Sequence, residues 1–568
     1  MLRFIHGYDE RCWPGLQKNG LLNRNSGVKI HQHFVTPDHE KFNSIAAEGG
    51  KLYELVRQNA CPFYIDRLLG GTFYSKYDYD HALLRKYGDL LGQWFLGIQM
   101  HEWASALNSN WRKIRRLLAG TPPPWTGQQI HDAVQAESTC KWCIALSCGT
   151  ASEFSQNTYP GTWREHLAAM RTFFELKQGE TGGLLLPCDS YEMATAMEYK
   201  LAARAVMPEV GAQTGLMRLQ VALARGMSKA YGRPWGVYYE PWGGQPFGAC
   251  RFLEEPVNEW RLDNSIFPYD FSSNGPNGGS SRALQRRIFF YSLLSGAHFL
   301  SEEWGVSNTF YNWRDYPLTP YGEVKKDFID FAEKHPGLEP FVPFAIVLPR
   351  EFEDVDLPYL NDPGSETYLG WVLDSPDRQF FGHLKNVLRL VYARCGKTFG
   401  NEGHVITNSR FGDLFDVIDE DSGERTFARY ACLVDASADG GFARFMSGGK
   451  RRVLESTDLD LLALALGRMF EAELPCRVDG GLHWLLCRSG AKWMLGIFNN
   501  EGVDRSVEKG DVFLPEAERK AVVCFTKAPG ELRMIKAWPE GGSFERLTDG
   551  KYGCTIPAGG FRIMEFHS

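Results

Sequence analysis

Eight short apolar runs, each followed by a stretch of helical periodicity, recur across roughly the first 338 residues of this 568-residue chain. The runs are Arg3–Tyr8, Val28–Val35, Pro62–Leu69, Phe95–Trp103, Leu184–Tyr191, Ala205–Gly211, Trp235–Trp242 and His298–Gly305. Helical stretches such as Asp38–Asn59, Tyr79–Leu91, Thr214–Tyr231 and Ser280–Ser295 lie between them, several opened by an Asp, Ser or Thr able to cap a first turn. Strict alternation of strand and helix implies a parallel sheet, since a parallel neighbour is reached only by a crossover, and eight such repeats close into a (β/α)8 TIM barrel. About eighty residues separate the fourth and fifth runs, including Thr121-Pro122-Pro123-Pro124 and the helical TWREHLAAMRTFFELKQ, so an excursion over the barrel mouth is expected there. A barrel strand at Ile144–Cys148 instead would shift every later strand number by one.

Beyond the eighth run, Thr319–Pro336 reads as the closing helix, and Pro336, Pro340 and Pro343 mark a boundary. A second unit of α/β type, flavodoxin-like or Rossmann-like, is expected from FAIVLP at Phe344, a helix over Gln379–Cys395, the strand-like RYACLVDAS and KRRVLES, and a helix over Asp458–Leu474. It carries no GxGxxG, so nothing supports a dinucleotide. From about residue 476 the pattern changes to alternating strands with glycine turns, which predicts a C-terminal β-sandwich. The expected domains are thus 1–338, 339–475 and 476–568.

Composition narrows the function. Sixty-two basic against 69 acidic residues give a net charge of −7, with no basic surplus to neutralise a phosphate backbone, so nucleic acid is not an expected partner. No run approaches the roughly 20 apolar residues that span a bilayer, and MLRFIHGYDE has no signal-peptide core, so a cytoplasmic protein or a processed secreted form is expected, with no membrane partner. The 13 cysteines are odd in number and scattered. Cys140, Cys143 and Cys148 cluster without the second CxxC pair of a strong zinc site, and they are read as thiols. Sixteen Trp, 23 Tyr and 37 Phe exceed what a core of this size needs, and because sugars stack on such rings, carbohydrate becomes the candidate ligand.

In a TIM barrel the chemistry stands at the C-terminal ends of the strands, where acidic residues gather here: Asp66, Glu102, Asp189, Glu209, Glu240, Glu302 and Glu303. Any one of them could pair with an arginine or cap a helix. Several carboxylates in an aromatic mouth, however, cost free energy unless their shifted pKa values serve acid, base and nucleophile roles. Glycoside hydrolysis requires such a pair. The fourth run ends in Met100-His101-Glu102-Trp103 and the seventh in Tyr238-Tyr239-Glu240-Pro241-Trp242.

Glutamates at the ends of strands four and seven resemble glycoside hydrolase clan A, whose members are retaining enzymes. The three-part layout also resembles family 42 β-galactosidases and family 164 β-mannosidases. The resemblance implies Glu102 as general acid/base and Glu240 as nucleophile, with His101 standing where clan members carry an asparagine. It also implies a homotrimer or another homo-oligomer. Glu209, in MPEVG, is the principal rival nucleophile and Glu302 or Glu303, in SEEWG, the next; the carboxylates that do not react are expected to bind sugar hydroxyls. Trp103, Trp242 and Trp304 are candidate stacking faces, with Tyr239, Asp66, Glu209, Glu303, His101 and His33 as further substrate contacts. His6, His31 and His33 are read as hydrogen-bonding residues rather than metal ligands, and the loop Gly243–Gly279 is expected to border the pocket or to be a surface insertion.

The expected function is therefore a retaining exo-β-glycosidase of the β-galactoside or β-mannoside type, with no metal or organic cofactor. The alternatives are an endo-glycanase of the same clan and a non-catalytic carbohydrate-binding barrel. A TIM-barrel lyase or aldolase would call for a strand-end lysine, and Lys29, which lies mid-run, is the nearest.

Overall fold

A computed structural model of the chain describes residues 2–8, 13–30, 48–59, 61–65, 94–121, 125–126, 128–130, 132, 161–189, 194–211, 217–239, 281–303, 309–350, 352–353, 355, 367–392, 406–409, 411–446, 452–506 and 510–567. All eight expected runs supply a strand: β1 (Arg3–Tyr8), β2 (Ser26–Ile30), β3 (Phe63–Ile65), β4 (Phe95–His101), β5 (Leu185–Cys188), β6 (Glu209–Val210), β7 (Gly236–Tyr239) and β8 (Phe299–Glu302). They form one sheet in the order β5-β4-β3-β2-β1-β8-β7-β6, and every registered pair in it is parallel. The approach to β6 returns to β5 through Met207 N–H to Pro187 O, which makes the sheet a (β/α)8 barrel.

β4 and β5 are direct neighbours, with Ile98 opposite Leu185, so no strand from the Ile144–Cys148 region intervenes and the strand numbering stands. That region itself lies outside the described residues, as do the expected helix over Tyr79–Leu91 and residues 38–47 of Asp38–Asn59, of which Lys51–Asn59 is helical. Several strands are shorter than their apolar runs. In the sixth run Pro208 has no N–H to give to a ladder, and the register with β7 begins at Glu209.

The chain separates into two compact units. The first comprises Met1–Ser26, Glu209–Arg350 and His383–Ser568. It contains β1 and β6–β8, backed by helices Met217–Tyr231, Arg282–Leu294 and Pro320–Lys334. Their core is aromatic: Phe289 meets Phe4 at 5.7 Å and Phe328 at 5.3 Å between ring centroids. Both later helices start as their sequences direct, with Ser281 accepting from Leu284 N–H, and Thr319, ahead of Pro320, accepting from Gly322 N–H. The same unit holds a four-stranded parallel sheet in which Phe344–Leu348 lies between Phe415–Asp419 and Cys432–Asp435, with Arg452–Glu455 at the edge. Two antiparallel sheets built mainly from residues 476–566 complete it.

The Met217–Tyr231 helix seats directly on strand Phe415–Asp419. Gly226 makes this approach close enough that a Cβ there would lie 2.3 Å from Val417 O. Arg225 Nε donates to Asp416 Oδ1 at 2.6 Å and Lys229 Nζ to Asp416 Oδ2 at 2.5 Å, so a buried carboxylate on the strand is matched from the helix.

The second unit comprises Gly27–Pro208 and Glu351–Gly382, and carries most of β2 together with β3–β5. Within it the helices Trp103–Leu117 and Trp163–Glu180 run antiparallel, as three contacts in sequence show: Trp103 against Phe174 at 5.1 Å, Asn108 Oδ1 with His166 Nε2 at 2.7 Å, and Arg115 and His166 on the ring of Trp371. The second helix opens with a complete capping box between Thr162 and Glu165. Among the described residues no helix is long and apolar enough to cross a membrane.

Candidate active site

β4 ends at His101, and Glu102 follows it with φ 50° and ψ 34°, in the left-handed region that a residue with a Cβ enters at a cost of about 1 kcal/mol or more. Glu102 is the N-cap of the Trp103–Leu117 helix, yet its side chain makes no capping bond. That task falls to Asp189, just past β5, whose Oδ2 accepts the Ala104 N–H at 2.9 Å. The Glu102 N–H in turn donates to Cys188 O at 2.6 Å, fixing the turn to the end of β5. Relieved of the cap, the Glu102 carboxylate stays about 34% exposed, with Oε2 3.7 Å from Nδ1 of the buried His101. The carboxyl thus stands on a constrained turn at a barrel-strand end, and the helix terminus beside it is capped by another residue.

Trp103 does not serve as a stacking face. It is 0% exposed, its ring is packed by Phe173 and Phe174, and its Nε1–H donates to Glu198 Oε1 at 2.8 Å. The expectation of a sugar contact there is corrected: Trp103 begins the helix instead of extending the strand, and this turns the indole inward.

In the first unit, Glu209 stands opposite Tyr238 in the β6–β7 register and is 1% exposed. Tyr239 is likewise no substrate contact. Strand alternation turns it to the helical layer, where it meets Phe289 edge-on at 5.5 Å and is fully buried. Glu302, the last residue of β8, is matched by Lys325 of the closing helix, Nζ to Oε2 2.6 Å, and its Oε1 accepts from Gln285 Nε2 at 3.3 Å. Glu303 is 7% exposed, with its N–H on Tyr239 O at 2.9 Å. His6 donates from Nε2 to Leu21 O at 3.1 Å; burial, and after it Lys325, push its pKa down to about 3, so it is a neutral core residue, as its sequence context suggested.

Asp66, His33, Glu240, Trp242 and Trp304 lie outside the described residues, as do His31, Cys140, Cys143, Cys148 and the loop Gly243–Gly279. Glu240 directly follows Tyr239, the last residue of β7. Sequence reasoning missed Lys325 and Glu198. Lys325 stands beside Lys326 in a helix whose lysines would ordinarily face solvent, and only the helical phase distinguishes the buried one.

No protein-family model matches the chain, and no curated protein matches it. Three solved structures with which it was compared cover all of it. A β-galactosidase from Bacillus circulans sp. alkalophilus is 9% identical, with 98% of that chain covered and a TM-score of 0.47. An α-L-fucosidase isoenzyme 2 from Paenibacillus thiaminolyticus is 10% identical, with 100% covered and a TM-score of 0.43. A catalytic mutant of a GH42 β-galactosidase from G. stearothermophilus is 10% identical, with 98% covered and a TM-score of 0.46.

Proposed function

We propose that the protein is a retaining exo-β-glycosidase that removes a terminal sugar of the β-galactoside or β-mannoside type. Glu102 is the general acid/base and Glu240 the nucleophile, while Glu209 and Glu303 bind sugar hydroxyls. In the first step Glu102 gives its proton to the glycosidic oxygen as Glu240 attacks the anomeric carbon, forming a glycosyl-enzyme. In the second, Glu102 takes a proton from water, which attacks the same carbon and releases the sugar with its configuration retained.

The observation that carries this reading is the division of labour at the end of β4. Asp189 caps the helix in place of the neighbouring Glu102, which is held in a left-handed conformation with its side chain making no capping bond. The pairing of Glu302 with Lys325 supports a nucleophile elsewhere than strand eight.

Hydrolysis of a panel of p-nitrophenyl α- and β-glycosides by the wild type and by Glu102→Ala, Glu209→Ala and Glu240→Ala, each with added azide, tests it. Turnover of one β-glycoside is expected, with losses of about 10²–10⁴-fold in Glu102→Ala. Azide should yield the β-glycosyl azide from Glu102→Ala and the inverted α-glycosyl azide from Glu240→Ala. Inverted azide from Glu209→Ala would move the nucleophile to strand six. An inactive wild type would sink the reading.

A further inference from the structure

The antiparallel helices Trp103–Leu117 and Trp163–Glu180 carry a groove of about 800 Å³ at the end remote from Glu102, a volume typical of ligand sites. Arg115 lines it 13 residues past Glu102, about 20 Å along the helix at 1.5 Å per residue. The groove lies wholly within the second unit, between the end of the first helix, the start of the second and residues 371–377.

Its charged groups are not equivalent. Arg164 is committed, with Nη2 on Asp377 Oδ1 at 2.7 Å and Nη1 on Oδ2 at 3.0 Å, and Asp377 Oδ2 also receives the Trp163 indole N–H at 2.8 Å. Asp374 Oδ1 accepts the Asp377 N–H at 2.8 Å. Arg115 has neither hydrogen-bond acceptor nor acidic partner among the described residues. Its guanidinium is held 5.5 Å from the centroid of Trp371, and partial burial lowers its pKa, so a partly buried cation stands in the groove with no ion-pair partner among the described residues, although Asp374 and Asp377 also line it. A guanidinium in cation–π contact with an indole can still offer its N–H fork to a planar or tetrahedral oxyanion. Beside it, Trp125 is half-buried with its indole N–H spent on Thr121 O at 2.8 Å, leaving an apolar flank. The rings of Trp163 and Trp371 are occupied by Arg164, Phe352, His166 and Arg115, so the groove is not a stacking platform for neutral sugars alone.

We propose that this groove is an anchoring subsite for an acidic saccharide, whose carboxylate or sulfate oxygens bind Arg115 while a sugar face lies along Trp125. That the ligand is a saccharide rests on the glycosidase reading above; that it is an anion rests on Arg115.

The test uses the full chain as Glu102→Gln, so that oligosaccharides survive, and reads affinity by titration calorimetry. Probes are trigalacturonate, a sulfated galactan tetrasaccharide, neutral galactotriose and inorganic sulfate. Expected are binding of one or both acidic oligosaccharides, which separates carboxylate from sulfate, and at least tenfold weaker binding of galactotriose. Arg115→Ala should lose at least tenfold in affinity. Arg115→Lys, which keeps the charge without the fork and so guards against misfolding, should lose most of that, and Arg116→Ala on the neighbouring exposed position less than twofold. Equal binding of galactotriose, an unaffected Arg115→Ala, an Arg116→Ala as weak as Arg115→Ala, or inorganic sulfate binding as tightly as the oligosaccharides would each overturn the proposal. Binding does not depend on turnover, so an inactive wild type that still binds through Arg115 would refute the glycosidase reading and leave the anion site standing.

Discussion

Lys325 Nζ lies 2.6 Å from Glu302 Oε2, with both side chains about 1% exposed, so the last residue of β8 and the closing helix are joined by a buried ion pair. Removing one member of such a pair strands the other charge in a low-dielectric interior, whereas replacing both with apolar groups removes the desolvation penalty as well as the attraction. Lys325→Ala should cost about 3–5 kcal/mol, and the double variant Lys325→Met/Glu302→Leu should recover most of it. Urea midpoints of the three proteins decide the matter; equal midpoints for wild type and Lys325→Ala would show that the pair contributes nothing.

Glu102 invites a trade between stability and activity. Glycine enters the left-handed region without the penalty a Cβ brings, so Glu102→Gly should raise stability by about 1 kcal/mol, while Glu102→Ala should not. Both should lose about 10²–10⁴-fold in kcat if the carboxyl transfers a proton. Melting temperature and turnover measured on the same preparations check both halves.

Three buried histidines set the acid limit. Burial lowers His6 and His166 to about 3, and lowers His483 to about 4, from an unfolded value near 6.5. The unfolded chain therefore binds more protons between these values. Stability is complete above about pH 6.5 and falls progressively as pH drops toward 4 and then 3. Asp413 adds a later loss. Burial alone would raise its pKa, but His483, with Nε2 3.7 Å from Oδ2, and the charge of Arg225 hold it at about 2, so its contribution is present above about pH 3.8 and disappears as pH falls through 2. Urea midpoints should drop between pH 7.5 and 5, and His166→Gln, which can still donate to Asn108 Oδ1, should show a shallower drop. A midpoint flat across that range would contradict the mechanism.

Two helical glycines should respond oppositely to alanine. Gly226→Ala puts a Cβ 2.3 Å from Val417 O and should destabilise by about 1–3 kcal/mol, because backbone cannot yield as a side chain can. Gly467, in the helix Leu459–Glu473, has no atom within 4 Å of that position, so Gly467→Ala should stabilise by about 0.5–1 kcal/mol. Thermal unfolding of the two variants beside the wild type gives the signs directly.

The eight strands and the capped helices were legible because their signals are local. An apolar run of the right length pairs wherever the chain brings a neighbour, and Ser281, Thr319 and Thr162 cap because their oxygens lie within reach of N–H groups two or three residues on. Strand ends gave up the acidic residues for the same reason. What each acid does there was not local. Asp189 caps a helix 85 residues earlier in the chain, Glu302 meets a lysine on the following helix, and Trp103 turns inward onto Glu198. Each of those outcomes depends on which side chain the folded barrel brings within about 3 Å. The order of residues alone determined the barrel and the positions where chemistry could stand. Tertiary structure decided which carboxyls were taken by capping and pairing, since hydrogen bonds and ion pairs are made through space between residues that the sequence keeps far apart.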